Sequence, residues 1–329
     1  MIRNQWYVVL QSRELKKGKP IGVVRMGTKM VFWRDSNGNP VCQSDLCPHR
    51  GVALSAGCLM GDNIQCPFHG FEYDTTGKCT LVPANGKATP PPKVLQVITY
   101  PSKENHGYIY IWWGDPQENY PELPWFDDLD DSYVTSDLKD HWAVHYSRAI
   151  ENQLDVFHLA FVHASTIGRG AKTISDGPVT TIDEKTLEIW VHNRTDDGKS
   201  TAVRASALPF PKREPFLKFK FPHHWMNNIS QDMRITVFFT PIDEDNCILY
   251  LRNYQRFVKI PLVGKLVAEM INFSSKVILN QDKRVVLTQR PTKTSIRMGE
   301  KLVPADKPII EYRTMRDKLQ QMDAVNNKL

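Results

Sequence analysis

Cys47-Pro48-His49-Arg50-Gly51 and Cys66-Pro67-Phe68-His69-Gly70 are two short, similar segments, each offering one thiolate and one imidazole. Together they read Cys-x-His, a gap of sixteen residues, then Cys-x2-His. Proline after each cysteine and glycine after each histidine suit tight turns whose backbone N–H groups point at sulfur and stabilise negative charge there. The expectation is two hairpin tips that converge on one site. A structural zinc ion also accepts two cysteines and two histidines, and cysteines buried beside chance histidines need no metal at all. Spacing argues against both. Zinc fingers commonly pair cysteine with cysteine and histidine with histidine across short gaps, whereas each loop here is mixed. That mixture suits two irons, one taking both thiolates and the other both imidazoles.

On this motif the chain resembles the Rieske family. The resemblance implies a [2Fe–2S] cluster with Cys47 and Cys66 on one iron and His49 and His69 on the other. Two ferric ions, two sulfides and two thiolates then sum to zero charge when both imidazoles are neutral. Adding an electron to a neutral cluster costs less than adding one to an anion, so the potential lies above the roughly −400 mV of all-cysteine plant-type clusters. Rieske proteins of respiratory complexes carry an extra cysteine in each loop and bridge them. Val52 and Phe68 stand at those places here, which excludes that disulfide. The remaining Cys42, Cys58, Cys79 and Cys247 read as small buried side chains.

Around these loops, short β-rich runs alternate with turn signals: Trp6 to Leu10, Ile21 to Val24, Met30 to Trp33 ahead of Asp35-Ser36-Asn37-Gly38-Asn39, and finally Tyr108 to Trp113. This is an all-β module. Asp115 to Asp131 is rich in proline and acid and has no sustained apolar period, as expected of a linker, so the division is 1–125 and 126–329. With 329 residues, 41% of them hydrophobic, the chain is long enough for two cores. The 42 basic residues are scattered among 36 acidic ones rather than arranged in a stripe, and a nucleic-acid partner is not expected. No stretch approaches eighteen consecutive apolar residues, and Met1 to Trp6 lacks the profile of a secretory signal. No membrane partner and a cytoplasmic location are expected.

Residues 126–329 mix types. Ala149 to His163 has a helical pattern, Leu217 to Phe221 and Arg234 to Phe239 alternate as antiparallel strands, and Asp243-Glu244-Asp245-Asn246 marks a hairpin turn. A later helix carries apolar positions Met270, Ile271, Val277, Ile278, Val285 and Val286, and Ile309 to Val325 predicts a C-terminal helix. The class is α+β: an N-terminal all-β domain, then an α+β domain with a large antiparallel sheet flanked by helices.

Asn152-Gln153-Leu154-Asp155-Val156-Phe157-His158-Leu159-Ala160-Phe161-Val162-His163 sets amide groups, one carboxylate and two imidazoles in an otherwise apolar segment. Polar groups in such company need partners. A five-residue gap leaves His158 and His163 about 140° apart on a regular helix, so convergence requires that helix to end or distort. The third ligand expected is Asp282. Ile278, Asp282, Val285 and Val286 follow one helical face, and Lys283 and Arg284 point elsewhere on the same helix. Two neutral histidines and one carboxylate leave Fe(II) with open positions, the facial triad of oxygen-activating enzymes.

With this second set the chain resembles the Rieske non-haem iron oxygenases, whose Asn-x-x-Asp-x-x-His-x4-His and distant Asp are matched by Asn152, Asp155, His158, His163 and Asp282. Gln281 to Pro291 and the short chain look like the monooxygenases and demethylases of the dicamba, vanillate and methylxanthine type. The resemblance implies that Asp155 links an imidazole of a neighbouring subunit's cluster to a histidine of the mononuclear site, and that Asn152 is a donor near the iron. It further implies a head-to-tail homotrimer that uses O2 as co-substrate. Because the sequence holds no Gly-x-Gly-x-x-Gly and no second iron–sulfur motif, electrons must come from a separate NAD(P)H-dependent reductase, with or without a ferredoxin. The expected reaction is hydroxylation or oxidative demethylation of a small organic substrate, aromatic or N- or O-methylated. The alternatives are a Rieske electron carrier without oxygenase activity, and a dioxygenase, desaturase or chlorophyll-pathway type of Rieske oxygenase. Phe210, Phe219, Phe221, Trp225 and Phe238 are candidates for the pocket wall or for ordinary core. His223, His224 and Arg234 read either as anchors for an anionic substrate or as exposed strand-edge residues.

Overall fold

The computed structural model describes residues 1–326; positions 327–329, the tail of the expected 126–329 domain, lie outside the described residues. The chain divides into two compact units, Arg3–Tyr120 and Met1–Ile2 together with Pro121 onward.

The first unit is built from eleven strands in three antiparallel sheets. β1 (Gln5–Gln11), β11 (Tyr108–Trp113) and β10 (Ser102–Asn105) form one, with Trp6 opposite Trp112 and their rings meeting edge to face at 5.5 Å. β2 (Ile21–Arg25), β3 (Thr28–Arg34), β4 (Pro40–Ser44) and β9 (Thr99–Tyr100) form the second, and β5 (Cys58–Met60), β6 (Asn63–Gln65), β7 (Glu72–Tyr73) and β8 (Cys79–Leu81) the third. Val31, Trp33, Leu54, Ile64, Phe71 and Tyr73 pack with Cys47 and Cys66 into one buried cluster. The cysteine loops therefore rest on hydrophobic core. Only the Cys66 loop is a hairpin tip, between paired β6 and β7. The Cys47 loop instead connects β4 of one sheet to β5 of another, which corrects the expectation of two hairpins.

In the second unit, seven antiparallel strands lie in the order β12-β18-β17-β16-β15-β14-β13. They span β12 (Val134–Trp142), β13 (Ile174–Asp183), β14 (Thr186–Arg194), β15 (Leu217–Lys220), β16 (His224–Ser230), β17 (Met233–Pro241) and β18 (Cys247–Gln255). Alternation sends Val237 and Phe239 of β17 and Leu249 and Leu251 of β18 into the core, where they meet Ile150, Leu154, Leu279 and Val286 of the covering helices. Those helices are α1 (Tyr146–Leu154), α2 (Leu159–Val162), α3 (Pro261–Val286) and α4 (Lys307–Asn326). The Asp243–Asn246 turn closes the β17–β18 hairpin through Ile242 N–H donating to Asn246 O at 2.9 Å.

Three expectations change. The helix expected over 149–163 is α1, a break, and the single turn α2. On α3 the buried face runs through Ser275, Leu279, Asp282 and Val286, while Met270, Val277 and Val285 are exposed. No strand or helix interrupts residues 114–133, yet Phe126, Leu129 and Tyr133 are buried against Met226 and Tyr254, so the end of the linker is packed structure. Three aromatic or aliphatic anchors in an acidic, proline-rich stretch carry no period, which is why pattern reading passes over them.

Candidate functional site

The two cysteine loops share one hydrogen-bond pattern. Cys47 N–H donates to Val52 O at 2.8 Å and Gly51 N–H to Cys47 O at 2.8 Å; Cys66 N–H donates to Phe71 O at 2.8 Å and Gly70 N–H to Cys66 O at 3.0 Å. Gly51 and Gly70 close the turns at φ of +73° and +71°, a conformation that costs glycine little. Cys47 and Cys66 are buried, while His49 and His69 are exposed. The His49 ring stacks on Phe71 at 4.7 Å and meets the His69 ring at 4.8 Å. Tyr73 Oη lies 3.2 Å from Cys47 Sγ. Burial pushes the Cys66 thiol up, opposed by the backbone N–H groups of Phe68 and His69 that reach its sulfur. Two buried sulfurs lined by donors and two imidazoles at the rim suit a cluster whose sulfur side is sheltered and whose histidine side meets the surface. Among the described residues this quartet does not make a nest for one ion, whereas a second set does.

That second set is His158, His163 and Asp282, whose ligand atoms all lie within 4.8 Å of one another. Asp155 explains how two histidines five positions apart converge. Its backbone N–H donates to Glu151 O at 2.9 Å, closing α1, and its extended backbone leaves the helix. Its carboxylate then accepts from the N–H groups of Phe157 at 2.9 Å and His158 at 3.1 Å, starting the next turn. His158 and His163 bracket α2, and their rings stand 5.3 Å apart. Gly168 seals the turn that follows, because a Cβ there would sit 1.9 Å from Leu159 O.

Each imidazole is anchored through Nδ1. His158 Nδ1 lies 3.0 Å from Asp155 O, and His163 Nδ1 lies 2.8 Å from Gln281 Oε1. Both partners are acceptors only, so Nδ1 carries the proton of each neutral ring and Nε2 is the nitrogen left for a metal or a second proton. The Gln281 amide is itself fixed, accepting from Thr166 Oγ1 at 2.9 Å and donating to Ser165 Oγ at 3.3 Å. Asp282 is 2% exposed; its Oδ2 accepts from Gln153 Nε2 at 3.2 Å. Its Oδ1 lies 2.9 Å from His163 Nε2 and 3.5 Å from His158 Nε2, yet it is buried and accepts no hydrogen bond. A buried carboxylate oxygen facing two bare nitrogens calls for a cation between them. Without one, protons compensate. Burial opposes a charge on His158, but Asp155 and Asp282 outweigh it and raise the imidazole to about 9. Burial likewise opposes the Asp282 charge, and the two histidines outweigh it, holding the carboxyl at about 2. The donor set fits a divalent transition metal with open positions.

Beside the triad lies a cavity of about 420 Å³, lined by Gln153, Asp155 and Ile167, by Trp225, Asn227, Ile235 and Leu251 of the sheet, and by Ile271, Ser275 and Ile278 of α3. Its wall is largely aliphatic. Of the five aromatic candidates only Trp225 lines it, its Nε1 held by Gln153 O at 2.9 Å. Phe219 and Phe221 pack on Tyr312 in the core, Phe238 packs against His224 and Trp125, and Phe210 is exposed beside Trp190. His223 and His224 are fully buried, not strand-edge residues, and burial holds His224 down at about 3. Arg234 faces a different groove, 3.6 Å from Asp128. Cys58 is exposed, whereas Cys42, Cys79 and Cys247 are buried as expected.

Asn152 does not line the cavity; its Nδ2 is buried without a hydrogen bond. The carboxamides that hold the triad are Gln153 and Gln281, which sequence reasoning passed over. Their signal was a carboxamide close to a site candidate, Gln281 directly before Asp282 and Gln153, next to Asn152, two positions ahead of Asp155.

Comparison with known proteins matches residues 5–101 to the Rieske [2Fe-2S] domain and residues 142–322 to the vanillate O-demethylase oxygenase C-terminal domain. The oxygenase component of dicamba O-demethylase from Stenotrophomonas maltophilia is 35% identical over 164 residues, 49% of this chain and 48% of that protein. Chlorophyllide a oxygenase, chloroplastic, of Chlamydomonas reinhardtii is 33% identical over 171 residues, 51% of this chain and 26% of that protein. The chain thus spans half or less of the length of these curated relatives. Dicamba monooxygenase bound to dicamba has the same fold, with a TM-score of 0.78 over 99% of both chains at 22% identity.

Proposed function

Because the chain belongs to the family that joins a Rieske [2Fe-2S] domain to a vanillate O-demethylase oxygenase C-terminal domain, we propose that it is a terminal oxygenase component acting on a small, largely apolar organic substrate. In this reading residues 1–125 carry the electron-transfer cluster on Cys47, His49, Cys66 and His69, and residues 126–329 carry Fe(II) on His158, His163 and Asp282. The cluster would supply single electrons and the ferrous ion would supply activation of O2 for attack on a C–H bond. Attack on a methyl bound to O or N gives a carbinol that collapses with loss of formaldehyde, so hydroxylation and demethylation are one chemistry on different substrates.

The chain's own residues do the rest. Gln281 and the Asp155 carbonyl hold the Nδ1 protons, which keeps both Nε2 atoms directed inward. Gln153 holds Oδ2 of Asp282 and leaves Oδ1 for the metal. The aliphatic wall excludes water and seats an apolar body next to the triad. Asp155 touches His158 through backbone and side chain and is partly exposed, which suits a link between the triad and a donor outside it. That donor is proposed to be the cluster of the next subunit in a head-to-tail homotrimer, in which a ring of identical contacts serves every subunit. Electrons would come from a separate NAD(P)H-dependent reductase, with or without a ferredoxin. Cys42, Cys58, Cys79 and Cys247, the cysteines this reading leaves without a ligand role, are unpaired, which agrees with a cytoplasmic location.

The observation that carries this reading is the orphaned Asp282 Oδ1 between two bare imidazole nitrogens. Iron analysis and O2 consumption test it: the oxygenase holds three irons per chain and consumes O2 faster with a substrate from a panel of aryl methyl ethers and N-methyl heterocycles. Two irons and no stimulation would assign an electron carrier instead.

A further inference from the structure

Strand β16 alternates, so Trp225, Asn227 and Ile229 share the face that lines the cavity. On its other face Met226 packs with Phe126, and Asn228 Nδ2 donates to Pro215 O at 2.8 Å. The three lining residues grade the cavity by depth. Trp225 is 5% exposed and tied through Gln153 to Asp282, whereas Ile229 is 46% exposed and marks the mouth. Asn227 stands between them, one strand step of about 7 Å from Trp225. Its neighbours across the sheet, Leu217 on β15 and Ile235 on β17, are aliphatic and line the same cavity. Yet Oδ1 of Asn227 is buried and accepts no hydrogen bond. The other polar side chains beside it are engaged, Gln153 Nε2 donating to Asp282 at 3.2 Å and Ser275 Oγ to Asn253 Oδ1 at 3.0 Å. A buried amide oxygen without a donor is costly where a leucine would pack freely, so the position calls for a partner from within the cavity.

We propose that Asn227 sets substrate specificity by pairing with an uncharged amide group, a primary carboxamide or a lactam, at the end of the substrate that lies away from the triad. This rests on the oxygenase function proposed above and names a substrate class for it. An amide presents N–H beside C=O, the complement of the oxygen and N–H2 of Asn227, so two parallel hydrogen bonds satisfy both ends. A ketone or an ether takes only the N–H2 and leaves Oδ1 without a donor. A carboxylate does the same and also gives up its water with no cation beside it. Among the described residues no lysine or arginine lines the cavity, and the carboxylates that do are those of Asp155 and Asp282. The aliphatic side chains around Asn227 then seat the apolar body between the amide and the carbon to be attacked.

Three compounds of one shape test this: 6-methoxy-2-naphthamide, 2-acetyl-6-methoxynaphthalene and 6-methoxy-2-naphthoate. They share a two-ring body and an aryl methyl ether, and differ in the group offered to Asn227. Binding to the iron-loaded, full-length protein is measured by calorimetry under nitrogen, so that no turnover enters. The amide should bind about tenfold more tightly than the ketone, and the carboxylate most weakly. Asn227→Leu should keep its iron and its cluster absorption and bring the amide to the ketone's affinity or below, with the carboxylate still weakest. A general loss of packing would weaken all three alike. A carboxylate that binds wild type as tightly as the amide does, an amide preference that survives Asn227→Leu, or no binding by any of the three overturns the proposal. The order in wild type decides even where the variant does not fold. Iron content and O2 consumption read the oxygenase function separately: three irons with the wrong order of affinities sinks the role of Asn227 alone.

Discussion

At the scale of single residues, two members of the triad, His163 and Asp282, are held by carboxamides that carry no charge. Gln281 offers His163 a carboxamide oxygen and is locked by Thr166 and Ser165, so the ring is fixed without adding a second anion. Gln281→Leu should leave the fold intact and weaken Fe(II) binding by about 10- to 100-fold, measured by competition with a chelator. Protons compete for the same site. His158 rises from 6.5 to about 9 in the metal-free protein, so it binds a proton there that the metal must displace. Apparent Fe(II) affinity should therefore increase about tenfold per pH unit from pH 7 and level off above about 9. The sign for stability runs the other way. The raised His158 stabilises the metal-free fold fully below 6.5, and this is lost as pH rises through about 9. The depressed Asp282 contributes above 3.8, and this is lost as pH falls through about 2. Urea unfolding of the metal-free protein should show a plateau between those limits, and a maximum at pH 10 would contradict it.

At the scale of elements, α1 must end where it does, and α4 holds it there. Arg313 of α4 donates to Glu151 at 2.8 and 2.6 Å and to Glu300 at 2.7 Å, and Arg148 reaches Glu300 at 2.8 Å. Glu151 is also the residue whose carbonyl closes α1 on Asp155. Arg313 and Glu151 are buried, so Arg313→Ala should cost about 3 kcal/mol by leaving the buried Glu151 carboxylate only Arg148, 3.5 Å away, as its ion-pair partner, read from urea unfolding. Gly168→Ala strikes the other end of the turn. It should disorder α2 and abolish Fe(II) binding while the cluster absorption persists. The break that brings His158 and His163 together was legible as a requirement, since a regular helix would have separated them; its cause was not. Asp155 is both the last cap and the next start, a double use that the one-letter pattern does not reveal. Strands β15 and β17 and the hairpin at Asp243–Asn246 were legible from alternation and turn chemistry. The solvent-facing stripe of α3 was not, because a period of apolar residues cannot say which of two faces meets the core.

At the scale of the whole molecule, one chain carries two redox sites in two separately cored units, and the proposed ring makes the electron path intermolecular. Loss of one site should then be repairable from outside the chain. Cys47→Ser removes a cluster thiolate and spares the triad; His163→Ala removes a triad ligand and spares the cluster. Each variant alone should be inactive, with the His163→Ala protein keeping the cluster's absorption. Unfolded to monomers together and reassembled in equal amounts, they should recover about a quarter of wild-type turnover, because in a head-to-tail ring a sound cluster meets a sound triad at one contact in about four. Transfer within a chain predicts no recovery at all, since no polypeptide in the mixture holds both sites. Asp155→Asn sharpens the same measurement. If its carboxylate links the two sites, the variant should bind both metals and accept electrons at the cluster while product formation stops, and normal turnover would place the path elsewhere.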